Sequence, residues 1–61
     1  MNSVGKNIKQ LRNEKGITQD QLAEKLHVTR QAVSNWETGK TQPDIETLSA
    51  LAECFGITVE E

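Results

Sequence analysis

Residues 18–39, TQDQLAEKLHVTRQAVSNWETG, decide the fold. They read as a short helix, a three-residue turn and a second short helix. Thr18 and Gln21 fit a capping box, in which each side chain satisfies a free backbone N–H at the helix start. Ile17 before that cap and Leu22 after it fit a hydrophobic staple, and Leu22, Ala23 and Leu26 then face inward. The staple spacing recurs at Val28 and Val33 around a Thr29 cap. Successive residues advance by about 100° around a helix axis, which puts Ala32, Val33 and Trp36 on one side. Arg30, Gln31, Ser34 and Asn35 fall on the other side, with Thr38 near its end.

Outward from this stretch the same punctuation continues. A first helix is predicted from about Val4 to Lys15, with Val4, Ile8 and Leu11 on one face, Ser3 or Asn2 as cap and Gly16 as stop. A fourth follows Asp44, stapled by Pro43 and Leu48. Its apolar positions are Ile45, Leu48, Leu51, Ala52 and Phe55, and Gly56 stops it. Ile57, Thr58 and Glu61 begin the cap-and-staple pattern once more, but the staple partner would be the residue after the last one. Either a fifth helix is announced and the domain belongs to a longer protein, or the chain closes in a frayed tail. Nothing alternates with period two. The expectation is an all-α fold, a compact four- to five-helix bundle, with residues 1–61 forming one domain.

A chain of 61 residues buries only about 60% of its unfolded surface, so its apolar residues have to be used efficiently. Hydrophobic residues make up 34%, lean but globular. No apolar run approaches the roughly 18 residues of a membrane span, and the first residues, MNSVGKNIK, lack the apolar segment of a signal peptide. One cysteine, Cys54, supplies neither an internal disulfide nor a cysteine-rich zinc site, and reads as an inert buried thiol. These features suit a reduced, cytoplasmic setting without membrane contact.

The net charge of −2 hides an asymmetry. The first 40 residues hold all seven bases and four acids, a balance of +3, whereas the last 21 hold five acids and no base. Local field, not total charge, decides attraction to phosphate. The outward set on the second short helix is unusual in kind. Ordinary solvated helices favour Glu and Lys, and this face has neither. Ser34 and Asn35 sit mid-helix, where propensity disfavours them. Asn and Gln can pair with adenine through two hydrogen bonds, and Arg with guanine. The pattern therefore points to a helix–turn–helix whose second helix reads base edges.

Three runs carry a resemblance: TQDQLAEKL from Thr18, VTRQAVSNWETG from Val28 and KTQPDIETL from Lys40. They are similar to the Cro and lambda-repressor (XRE) family of bacterial and phage regulators, from about Val4 to the Thr58 region. The run WETGKTQP, Trp36 to Pro43, is its most specific part. The resemblance implies a lambda-repressor-like DNA-binding domain that acts as a transcriptional regulator on double-stranded operator DNA, as a homodimer. It implies base contacts from Arg30, Gln31, Ser34 and Asn35. Backbone contacts would come from Gln19, Thr29, Thr38, Lys40 and Thr41, with Lys6 and Lys9 weaker candidates. It further implies a structural salt bridge between Arg12 and Glu37. His27 departs from the pattern, because it stands where glycine usually takes a left-handed turn. Trp36 could stack on bases, but its inward position makes it core. The dimer surface is expected beyond Glu61 or at an apolar edge near Phe55 and Ile57.

Two other classes make different demands on the same residues. A protein-interaction module of antitoxin type would expose large apolar side chains, and the polar face does not. An enzyme would need a second titratable group paired with His27 or Cys54, and none stands out. No catalytic residue, metal site or cofactor is expected.

Overall fold

Four helices follow one another in a computed structural model that describes residues 4–56. They are α1 (Val4–Lys15), α2 (Gln19–Leu26), α3 (Arg30–Thr38) and α4 (Ile45–Phe55), with no strand among the described residues. The proposed cap at Asn2 or Ser3, and the pattern at Ile57, Thr58 and Glu61, lie outside the described residues.

Side-chain caps set the starts. Thr18 Oγ1 accepts from the Gln21 N–H at 3.0 Å, and Gln21 Oε1 accepts from the Thr18 N–H at 2.8 Å. Thr29 Oγ1 accepts from the Ala32 N–H at 3.1 Å, and Asp44 Oδ1 from the Thr47 N–H at 2.8 Å. Each bond satisfies one of the N–H groups that a helix start leaves without an intrahelical partner. The bonds to Asp44 from Thr47 hold its carboxyl below the usual aspartate range.

The ends are as regular. The Val28 N–H reaches back to the Ala23 carbonyl at 3.0 Å, and the Lys40 N–H to the Asn35 carbonyl at 2.9 Å. Both are the long return bonds of a Schellman turn, which requires a left-handed residue at the corner. Gly39 takes that conformation freely at φ 82°, while His27 takes it at φ 60° with its Cβ crowding the backbone.

The helix α3 lies in the middle and packs on both α1 and α2, while α4 closes over α2. The core comprises Ile8, Leu22, Ala23, Val33, Trp36, Leu51, Ala52 and Phe55, with Leu22 and Val33 fully enclosed. Trp36 belongs to this core rather than to a stacking surface.

Three expectations about apolar positions need correction. Ile45 lies on the predicted face of α4 but is 79% exposed. Periodicity gives its angle around the axis, not its height along it, and at the first turn of α4 no described element covers it. Phe55 is buried, so it cannot form an open apolar edge for a dimer, and Ile57 lies outside the described residues. Cys54 is only half-buried, against the rim of the core.

Gly5 carries no distinguishing signal in the sequence, yet it sets how closely α1 approaches α3. A Cβ placed there would overlap the Trp36 carbonyl oxygen and crowd that of Glu37 at 3.1 Å. The obstacle is backbone at the end of α3, which cannot rotate aside. Gly5→Ala is therefore expected to destabilise the fold by about 1–3 kcal/mol, although alanine is the better helix former. Thermal unfolding checks this, and an unchanged or raised midpoint would contradict the close approach.

Candidate nucleic-acid interface

The α2–turn–α3 unit places the polar face of α3 outward because Ala32, Val33 and Trp36 are drawn to the core. Arg30 and Gln31 are exposed, and Ser34 and Asn35 are half-buried along the same side. Gln31 Nε2 donates to Asn35 Oδ1 at 3.0 Å, one helical turn apart. This bond leaves Gln31 Oε1 as an acceptor and both N–H groups of Asn35 as donors. Two amides thus present adjoining acceptor and donor groups, the complement of an adenine edge.

Hydrogen bonds to the backbone shape both ends of this face. At the far end the Asn35 carbonyl accepts from the Lys40 N–H, the Thr41 N–H at 3.3 Å and the Thr38 hydroxyl at 3.2 Å. One carbonyl therefore folds the exposed residues Thr38, Lys40 and Thr41 around the end of α3. The Thr38 hydroxyl proton is already engaged, so donating it to a phosphate means giving up Asn35. At the near end Thr29 is committed as acceptor to its cap and keeps its own O–H to donate.

Gln19 has a second attachment that the sequence did not reveal. Its Nε2 donates to Glu37 Oε1 at 3.0 Å, and the residue is half-buried. Its side chain is thus part of the internal scaffold, while its backbone stays at the α2 N-terminus, where free N–H groups and a partial positive charge favour an anion.

Glu37 is the junction of this scaffold. Arg12 Nε donates to Glu37 Oε2 at 2.8 Å and Arg12 Nη2 to Oε1 at 3.3 Å. Arg12 Nη1 donates to the Ile17 carbonyl at 2.9 Å. The side chains of Arg12 and Glu37 are 12% and 3% exposed, so water screens them little. Across the surface Arg30 Nε lies 3.5 Å from Asp20 Oδ1, joining the first turns of α3 and α2. Both partners of that pair are open to solvent, and such pairs contribute about 0–1 kcal/mol. Opposite charges at the first turns of two adjoining helices were visible in the sequence. Their contact depends on the crossing of the helices, which was not.

These features define a class: a helix–turn–helix whose second helix turns a polar face outward. A family model described as helix-turn-helix matches residues 8–61, and the chain belongs to this lambda-repressor-like helix–turn–helix family. It is 46% identical over 54 residues to the HTH-type transcriptional activator BcrR of Enterococcus faecalis, covering 88% of this chain and 26% of that protein. It is 40% identical over 57 residues to the immunity repressor protein of Bacillus phage phi105, covering 93% of this chain and 40% of that one. Its fold matches the P22 c2 repressor crystallised with a synthetic operator, at a TM-score of 0.88 and 29% identity over 95% of this chain and 88% of that one. The chain thus spans less than half the length of either of these two curated relatives.

Burial pushes the Glu37 carboxyl up, but hydrogen bonds from Arg12 and Gln19, with the charges of Arg12 and Lys9, outweigh it and hold the group below the ordinary glutamate range. A carboxyl whose pKa is lowered by folding stabilises the fold fully above its unfolded pKa, about 4.3. That stabilisation fades as pH falls from there through the folded value. Glu37→Gln is expected to cost about 1–3 kcal/mol at neutral pH, because Arg12 loses its counter-charge. Its unfolding midpoint should also fall less steeply than the parent's below about pH 4.5, as there is no carboxyl left to protonate. Melting curves from pH 7 to pH 3 test both, and parallel curves would exclude Glu37 as an acid-sensitive junction.

Proposed function

We propose that this chain is the operator-binding domain of a transcriptional regulator and lays α3 in the major groove of double-stranded DNA. The observation that carries the reading is the outward face of α3. Its amide pair, Gln31 and Asn35, is flanked by backbone N–H groups at the start of α2 and by the Thr38–Thr41 turn. Nine residues give α3 a length of about 14 Å, which suits a groove about 12 Å wide. In this pose Gln31 and Asn35 meet base edges, with Arg30 and Ser34 on either side. The N-terminus of α2 at Gln19 and the residues Thr29, Thr38, Lys40 and Thr41 face phosphates.

One such module covers a half-site, so tight binding calls for two copies on a palindrome, with half-sites about 34 Å apart. The fold is shared by a protein named as an activator and another named as a repressor. The domain therefore supplies the DNA address, and the sign of regulation comes from its setting. No helix of the described residues is long and apolar enough to cross a membrane, which suits work in the cytoplasm.

Selection from random duplexes tests this directly. The chain should enrich one motif. Gln31→Ala should relax one or two positions of it by about 1–3 kcal/mol each. Lys40→Ala should weaken all duplexes alike and lower the salt slope by about one. Failure of the folded chain to enrich any motif would overturn the reading.

A further inference from the structure

We infer that Asp20 is a positioning residue for Arg30, one that gives up general attraction to DNA for base discrimination. The inference rests on the operator-binding reading and adds a specificity-determining residue to it. Arg30 and Asp20 are the first residue of α3 and the second of α2, and they meet Nε to Oδ1 at 3.5 Å. The contact uses the inner nitrogen of the guanidinium. The approach to Asp20 is made through Nε, which leaves the outer pair, Nη1 and Nη2, with four of the five N–H donors, for other partners. That pair is the fork that fits O6 and N7 of guanine.

Charge supports the same conclusion. An aspartate in the first turn of α2 lies beside the N-terminus at which a phosphate would bind, and it repels that phosphate. A domain built only for affinity would not put an acid there. In company with Arg30 the acid has a use. It cancels much of the pull of Arg30 on any passing phosphate and holds the guanidinium across the angle between the helices. The arginine is then ready for a base edge and poor at holding DNA of arbitrary sequence. Both side chains are more than half exposed, so the pair is weak enough to adjust when DNA arrives.

The test is a set of binding curves to the selected operator, to operators changed one base at a time and to a scrambled duplex, over a range of salt. It uses the parent chain, Asp20→Asn, Asp20→Glu, Arg30→Ala and the double variant Asp20→Asn with Arg30→Ala. Circular dichroism first confirms that each is folded. Asp20→Asn should tighten the scrambled duplex by about threefold to tenfold at low salt and raise the salt slope by about one. It should also lower discrimination at the position that Arg30 reads by about threefold to fivefold, with other positions unchanged. Asp20→Glu should restore discrimination. In the Arg30→Ala background Asp20→Asn should still tighten all DNA but leave discrimination within about twofold. Unchanged discrimination in Asp20→Asn, or the same loss with Arg30 absent, would overturn the positioning role and leave operator binding intact. A parent chain that selects no motif would overturn operator binding itself, and the role of Asp20 with it.

Discussion

The carboxylate of Glu37 is the point on which the arrangement of helices depends. It stands near the end of α3 and is gripped by Arg12 from α1 and by Gln19 from the start of α2. Arg12 also holds the Ile17 carbonyl in the turn between those helices. One acid thus ties three helices and a turn together at the side of the molecule next to the outward face of α3. Hydrophobic burial drives the helices together but is indifferent to small rotations between them. A network of directed, charge-assisted hydrogen bonds is not. The angle at which α3 is presented is therefore decided by polar contacts more than by the apolar core beneath it.

Gly5 completes the same junction from the other side. Without a Cβ, α1 can approach the backbone of α3 at Trp36 and Glu37, which brings Arg12, two turns further along α1, within reach of the Glu37 carboxylate. The close approach and the ion pair are two parts of one contact. Val33 and Trp36 fill the space enclosed by it, with Leu22 from α2 and Phe55 from α4.

The candidate interface reuses the devices that end helices. The carbonyl of Asn35 both closes α3 and gathers Thr38, Lys40 and Thr41, so the turn that stops the helix also shapes the edge of the proposed DNA surface. The cap of α2 satisfies the Gln21 N–H and leaves the first N–H groups of that helix free of it. Net acidity is compatible with this use because the bases lie in the first 40 residues and the acids after them have no base among them. His27 holds the corner between α2 and α3 in a left-handed conformation that costs a non-glycine residue about 1 kcal/mol.

The sequence by itself determined the four helices and their punctuation, because caps, staples and stops act between residues fewer than six apart. Thr18 with Gln21, Thr29 with Ala32 and Asp44 with Thr47 are contacts that spacing alone specifies. It also determined which side of α3 faces out, because 100° per residue separates Val33 and Trp36 from Gln31 and Asn35. Resemblance added the pairing of Arg12 with Glu37. Tertiary structure alone decided what lies opposite what. The grip of Gln19 on Glu37, the contact of Asp20 with Arg30, the backbone pressed against Gly5 and the exposure of Ile45 all depend on how helices cross and how far along their axes they meet. Periodicity fixes an angle around one axis and carries no information about the distance to the next.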